Sequence, residues 1–380
     1  MKLKSLKYSR KEGEKAEWIL EGKPKNGEYG QWCTFDEINL IVGQNATGKT
    51  NTLQVITELA ELLSSDKELA ELSYNTAHYE VEFSNQLQPI VYVLIFKNGT
   101  VLKEQLFLNG ESVLERDAVG TLVLDRETHH LLTFKPAEDK LLVPLIRQAL
   151  QLPLFDVLYQ WGKSLTHYRF GSSMGKNTTV RLQKQPLNLK KSNAIVAFEN
   201  AKNSVGNEFV EMIKADMAKM NYSIANIGTA PLKLMMKPFN SSVALFVKET
   251  DLNDITDQSE MSQGLFRVLS LLVQLNQLLF AKESSCILID DIGEGIDYGR
   301  AKCLIDLIIN KAKDSSVQLF MTTNDRFVMN NTPLEYWSII HRIGQKSLFY
   351  NCRNSEQVFD EFELTGLSHF HFFSSNYFLK

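Results

Sequence analysis

The chain has 380 residues, of which 44% are apolar and 23% charged, and its net charge is −4. This is the composition of a well-cored α/β domain or pair of domains, and it excludes a global polycation that coats nucleic acid, so any DNA contact is local. No stretch approaches the ~18 apolar residues that span a bilayer, and Met1-Lys2-Leu3-Lys4 leads into no signal-peptide core, so a cytoplasmic protein is expected. The four cysteines (Cys33, Cys286, Cys303, Cys352) form no C-x-x-C pair. Cys286 and Cys303 sit in apolar periodic segments and are expected to be buried free thiols.

In chain order, residues 1–36 alternate short polar and apolar runs (Leu3, Leu6, Tyr8; Trp18, Ile19, Leu20; Trp32, Phe35), with a turn at residues 22–27. This predicts a hairpin leading into the strand Leu40-Ile41-Val42. Gly43 follows, then four residues, then Gly48-Lys49-Thr50, the full G-x-x-x-x-G-K-[ST] spacing. The glycines let the loop curl until backbone N–H groups point inward at phosphate oxygens. Gly43, Gln44, Asn45, Ala46, Thr47, Gly48, Lys49, Thr50 and Asn51 are therefore the expected contacts to a nucleoside triphosphate. Lys49 reaches the β/γ-phosphates, Thr50 ligates Mg²⁺, and a helix over Asn51 to Leu63 points its positive end at the anion.

A β-rich block follows at Tyr79 to Phe83, Ile90 to Phe96, Val101 to Leu108, Ser112 to Arg116 and Thr121 to Asp125, with Asn98-Gly99 and Asn109-Gly110 as hairpin turns. His129-His130 is read as a turn between strands. Helical spacing runs over Pro144 to Gln160 and again over Phe209 to Met220. Between them, residues 172–192 carry Lys176, Arg181, Lys184, Lys190 and Lys191 with no acidic residue, which is read as a solvated loop or a local phosphate-backbone contact. Two strands are expected within Leu232 to Lys248. Ser259 to Leu279 has a polar start and a long apolar helix. Cys286 to Asp291 is an apolar strand ending in two carboxylates, Arg300 to Asn310 is helical, and Val317 to Asp325 is a second buried strand. Strand, helix, strand is a βαβ unit, with ligands at the carboxyl ends of its strands. His369-Phe370-His371 reads as a short aromatic strand or loop, with too few partners for a metal site.

Asp290 stands where a Mg²⁺-organising aspartate belongs, and Asp291 next to it is placed to orient or deprotonate the attacking water. Ser262 and Gly264 open a helix just upstream, so a hydroxyl and a helix dipole can face a γ-phosphate. Taken together, GQNATGKT, MSQGLFRVLSLL, LIDDIGEGID and FMTTND resemble the motifs of bacterial ABC-type ATPases related to RecF, SMC and OLD proteins, several of which act in anti-phage defence. TGLSHFHFF near the C-terminus resembles one branch of that family.

The resemblance implies an ABC-type P-loop head of α/β class with an inserted antiparallel β lobe and a helical insertion. Its segments are residues 1–75 (P-loop), 76–135 (β lobe), 136–235 (helical insertion) and 236–380 (signature, Walker B and C-terminal lobe). It also implies head-to-tail dimerisation or a higher homo-oligomer, with two ATP molecules held between one subunit's P-loop and the other's signature Ser262 and Gly264. Asp290 is then Walker B, Gly295-Ile296-Asp297 lies in the D-loop region, and Asn324 stands at the switch position. Two departures imply slow turnover: Asp291 where the family carries glutamate, and Asn324 where a histidine often sits. A sensor or switch working with a separate effector is expected, with a DNA-clamping repair ATPase or a weakly hydrolysing scaffold as alternatives. Only about 55 residues follow Asp325, short of the ~100–150 of a nuclease domain, so any cutting of nucleic acid falls to a partner.

Overall fold

The computed structural model describes the chain except residues 12, 14–15, 86–87, 126–129, 134, 151, 172–175, 177–179, 182–192, 232–241 and 282–285. The chain opens with β1 (Lys2–Arg10), β2 (Trp18–Gly22), β3 (Cys33–Thr34) and β4 (Ile38–Val42), followed by α1 (Lys49–Leu63). The β block holds β5 (Thr76–Asn85), β6 (Gln88–Lys97), β7 (Thr100–Leu108), β8 (Glu111–Arg116), β9 (Thr121–Asp125) and β10 (His130–Thr133). Asn98 and Gly99 have φ of +52° and +77°, and Asn109 and Gly110 +52° and +81°. Both turns thus have two left-handed central residues, as a type I′ hairpin requires. His130 opens β10 rather than lying in a turn, and residue 129 is outside the described residues.

The single helix expected over residues 144–160 is two, α2 (Leu142–Leu150) and α3 (Pro153–Ser164). Pro153 has no N–H to continue a helix but fits the first turn of a new one. Next come β11 (Thr166–Arg169), β12 (Val180–Arg181), α4 (Ala194–Val205), α5 (Asn207–Lys219), β13 (Ile224–Pro231), β14 (Ser242–Glu249) and β15 (Thr256–Asp257). Helix α4 was not foreseen, because Ala194 to Phe198 is a continuous apolar run with no helical period. Its start is fixed by Asn193, whose Oδ1 accepts from Ile195 N at 2.9 Å. Of the two strands expected over 232–248, only β14 lies there among the described residues, and it pairs with the earlier β13.

The remaining elements are α6 (Gln263–Ala281), β16 (Cys286–Asp290), α7 (Tyr298–Lys313), β17 (Gln318–Thr323), α8 (Arg326–Asn331), β18 (Trp337–Ile343), β19 (Lys346–Asn351), α9 (Cys352–Glu363) and α10 (His369–Ser374). His369 and His371 are thus helical, and two residues apart on a helix they diverge rather than share a face. Among the described residues no group of three or more His, Cys, Asp or Glu could hold a metal. All four cysteines are free, with Cys33 and Cys286 buried and Cys303 only half-buried. No helix among the described residues is long and apolar enough to cross a membrane.

The chain folds as two compact units: Met1–Leu165, Gln318–Asn324 and Pro333–Lys380 form one, Thr166–Val317 and Asp325–Thr332 the other. In the first unit the strand order is β10-β9-β8-β7-β6-β5-β1-β2-β19-β18-β4-β17, with β3 also on β1. From β10 to β2 neighbours are antiparallel, whereas β19 joins β2, and β17 and β18 flank β4, in parallel. All five residues of β4 are buried, as suits a parallel strand covered on both faces. Helix α1 buries Leu53, Ile56, Leu59 and Leu63, and α3 crosses it so closely that a Cβ on Gly162 would lie 2.4 Å from the Ala60 carbonyl.

The β lobe of this unit is tied to α2 by one buried carboxylate. Glu104 on β7 accepts from Tyr92 Oη at 2.9 Å and from Leu142 N at 2.9 and 3.0 Å, and Arg116 stands at 3.6 Å. Arg116 also donates to the carbonyls of Lys140 and Ala137. Glu104→Ala leaves a buried guanidinium without its counter-charge, and a phenol and a helix N-terminus without their acceptor. It is expected to destabilise the chain by about 3–5 kcal/mol in urea unfolding, and a loss below about 1 kcal/mol would show the network to be dispensable.

The second unit holds the parallel pair β11 and β16 and an antiparallel sheet in the order β12-β14-β13 with β15 on β14. Helices α4 and α5 pack on α6, whose apolar stripe from Leu265 to Leu275 is buried. Asp216, buried on α5, accepts from Asn276 of α6 and pairs with Lys311 of α7, both at 2.8 Å.

Candidate functional site

In the first unit, β4 delivers the chain into a tight loop from Gly43 to Gly48. Two residues there are left-handed, Ala46 (φ +62°) and Gly48 (φ +113°). A Cβ on Gly43 would lie 2.7 Å from the carbonyl of Ile340, so glycine is required by space. Lys49 begins α1, two residues earlier than expected, and folds back over the loop. Its Nζ donates to the carbonyls of Gly43 at 2.7 Å and Gln44 at 2.9 Å.

Thr47 Oγ1 donates to Gln44 O, and Thr52 closes on Gly48 O through its N–H (2.8 Å) and hydroxyl (2.9 Å). The first turn of α1 holds no acidic residue, so its positive end is not neutralised locally. Gln44, Asn45, Ala46, Thr50 and Asn51 are exposed, the first three on the loop and the last two on the first turn of the helix. Asn324 follows β17, which runs parallel to β4 with Thr323 opposite Val42, and its Nδ2 donates to Asn45 Oδ1 at 2.9 Å. The structure therefore brings Asn324 onto the loop at residues 43–48.

In the second unit, Asp290 ends β16 and is buried, and Asp291 follows in a left-handed conformation (φ +55°). A non-glycine residue held there is strained, and such strain clusters at functional sites. Ser262 caps α6, its exposed hydroxyl accepting from Leu265 N at 3.2 Å. Gly264 packs against the loop after β16, where a Cβ would come 3.1 Å from the Gly295 carbonyl. The start of α6 and the loop at Gly295 thus adjoin. Asp297 caps α7, its Oδ1 accepting from Arg300 N at 3.1 Å, and that bond holds its carboxyl below the usual range. Of the basic segment, Lys176 donates to the carbonyl of Met261, while Lys184, Lys190 and Lys191 lie outside the described residues.

Sequence reasoning missed several residues. Arg267, one turn into α6 and buried, donates to the carbonyls of Glu294 and Gly171, each at 2.6 Å, and so ties the signature helix to the loops after β16 and β11. Arg169 on β11 is in register with Asp290 on β16. His167, two residues before it and so on the same face, is lowered to about 4 by burial, against the pull of Asp290 and with the push of Arg169. Its imidazole is neutral at pH 7, leaving Arg169 as the positive charge on that face of β11. In the first unit, Ser347, Arg342 and Trp18 surround the phosphate loop. The parallel pairing of β11 with β16 was the missing signal for Arg169, and long-range contacts for the others.

The residues present fit a nucleotide with Mg²⁺. The loop of the first unit curls as a phosphate cradle does, and the hydroxyl of the exposed Thr50 is a hard oxygen donor of the kind Mg²⁺ takes.

No family model and no curated protein matches this sequence. Among solved structures, the fold is similar to that of an Smc head bound to the C-winged helix domain of ScpA, at 15% identity over 92% of this chain and 97% of that one, with a TM-score of 0.52. It is also similar to an Smc head domain with an extended coiled coil, bound to the C-terminal domain of ScpA and derived from Pyrococcus furiosus, at 12% identity over 95% and 99%, with a TM-score of 0.52. The architecture is that of an ABC-type P-loop ATPase head, as the motifs imply.

Proposed function

We infer that this chain binds Mg·ATP at residues 43–51 and hydrolyses it slowly, acting as a nucleotide-gated switch whose closed state is a head-to-tail dimer. The observation that carries this is the phosphate loop: Lys49 folded onto the Gly43 and Gln44 carbonyls ahead of an α1 whose first turn carries no acidic residue. In this reading Lys49 and the loop amides bind phosphate, Thr50 ligates the cation, Asp290 is the Walker-B carboxylate, and Asn324 hydrogen-bonds the γ-phosphate. The cation, when bound, neutralises phosphate charge. Ser262 and Gly264 complete the site of a second copy, and contacts made only in the dimer select the closed state. The biological setting, resting on the motif resemblance alone, is the ATPase component of an anti-phage defence system that works with a separate effector.

Asp291 is the assigned water-activating group. Its side chain is one methylene shorter than glutamate and so reaches less far, and its backbone is held at φ +55°. The test is phosphate release by wild type, Asp290→Asn and Asp291→Asn. Wild type is expected to exceed Asp291→Asn by about a hundredfold or more, the low side of general-base catalysis. Equal rates take the base role away from Asp291. No turnover in any of them leaves a nucleotide-binding scaffold.

A further inference from the structure

A phosphate loop can turn its amides inward only if its carbonyls are turned outward and satisfied there. Within the loop and its helix, Lys49 serves Gly43 and Gln44, and Thr52 serves Gly48. Two further carbonyls are held from the far end of the chain. Arg342 Nη1 donates to Ala46 O at 3.2 Å, and Ser347 Oγ donates to Thr47 O at 2.6 Å.

Arg342 and Ser347 are direct cross-strand partners on the β18–β19 hairpin, one on either side of its turn. Each is itself fixed. Arg342 Nε donates to Gly344 O at 2.9 Å. Ser347 is fully buried and accepts from Trp18 Nε1 at 2.8 Å, and the Trp18 ring backs the loop so closely that a Cβ on Gly48 would lie 3.0 Å from it. Arg10 lies over the Trp18 ring, 5.1 Å from its centroid. The bond from Arg342 falls on Ala46, whose left-handed backbone alanine does not favour unaided.

We propose that Arg342 and Ser347 are positioning residues for nucleotide binding. They hold the outward carbonyls of Ala46 and Thr47, so that phosphate meets a loop already formed and binding avoids the entropy cost of ordering it. This rests on the ATP-binding reading above.

The test titrates Mg·ADP and the magnesium complex of a non-hydrolysable ATP analogue into wild type, Ser347→Ala, Arg342→Ala and Arg342→Lys by calorimetry. Thermal unfolding of each nucleotide-free chain is recorded alongside. Ser347→Ala is expected to weaken both nucleotides about tenfold and Arg342→Ala about three- to fivefold, the scale of single hydrogen bonds. Arg342→Lys restores affinity. Arg342 is exposed, so Arg342→Ala keeps the wild-type unfolding midpoint and decides the matter even if Ser347→Ala folds poorly. Its loss is the same in about 0.05 and 0.5 M salt, since a carbonyl clamp, unlike a free charge steering the anion, is not screened. Wild-type affinity in both alanine variants overturns the proposal, and so does a loss in Arg342→Ala that vanishes in high salt. A wild-type chain that binds neither nucleotide overturns the ATP-binding reading and the inference with it, which is a different result from binding that the variants leave unchanged.

Discussion

Lys49→Ala is expected to weaken Mg·ATP binding about a hundredfold, the loss of charge-assisted hydrogen bonds to phosphate. The side chain does two things at once. Its ammonium would meet the phosphates, and it already holds the carbonyls of Gly43 and Gln44 at 2.7 and 2.9 Å. Alanine removes the charge and also frees the first two carbonyls of the loop, so the amides beyond them lose their fixed direction. Isothermal titration measures the loss directly. Wild-type affinity in Lys49→Ala would defeat the assignment of residues 43–51 as the nucleotide site. Lys49 is buried and holds two loop carbonyls, so thermal unfolding of the nucleotide-free variant is recorded alongside, and the affinity is read at a temperature where the variant is folded.

The second large effect concerns two copies. Ser262 is exposed at the start of α6 and, in the proposed dimer, faces the nucleotide of the other subunit. Ser262→Arg puts bulk and charge there while leaving the buried stripe of α6 untouched, so it should fold and bind ATP but abolish turnover. Lys49→Ala and Ser262→Arg are then each inactive alone. Mixed, they form heterodimers with one doubly defective site and one intact site. Random exchange of independent sites restores about a quarter of wild-type turnover. Mixtures no more active than the separate variants would sink the head-to-tail arrangement, or show that both sites must fire together. Sedimentation of the mixture with ATP distinguishes these, since only the second outcome leaves dimers.

The parts of this molecule legible in the sequence are those whose chemistry is local. Residues 40–50 must be a strand, a phosphate loop and a helix because glycines, lysine and threonine act within one turn of chain. Asn98-Gly99 and Asn109-Gly110 needed no partner to announce hairpins. Where two local signals compete, apolar spacing misled: it ran through Pro153, which divides α2 from α3, and it had no period to offer over Ala194 to Phe198. Three residues, His369 to His371, are too few to tell a period of two from one of 3.6, and they proved helical. Arg267, Arg169, Ser347 and Arg342 were illegible for a different reason. Each acts on a residue or strand far away in sequence, and Ser347 reaches Thr47 across 300 residues. A serine or an arginine carries no mark of such a duty.

The placing of β4 between β17 and β18 bears on how the protein is made. Val42 leaves the ribosome long before Gln318 and Trp337 exist, by roughly 15–60 s at ordinary rates of synthesis. During that interval the strand that will carry the phosphate loop has neither of its hydrogen-bonding neighbours, and its five side chains, all buried later, face water or whatever shields them. The loop cannot be braced in that period, because the hairpin that holds Ala46 and Thr47 is translated 296 and 300 residues after them. The loop at residues 43–48 is thus completed only when strands made some 300 residues later arrive.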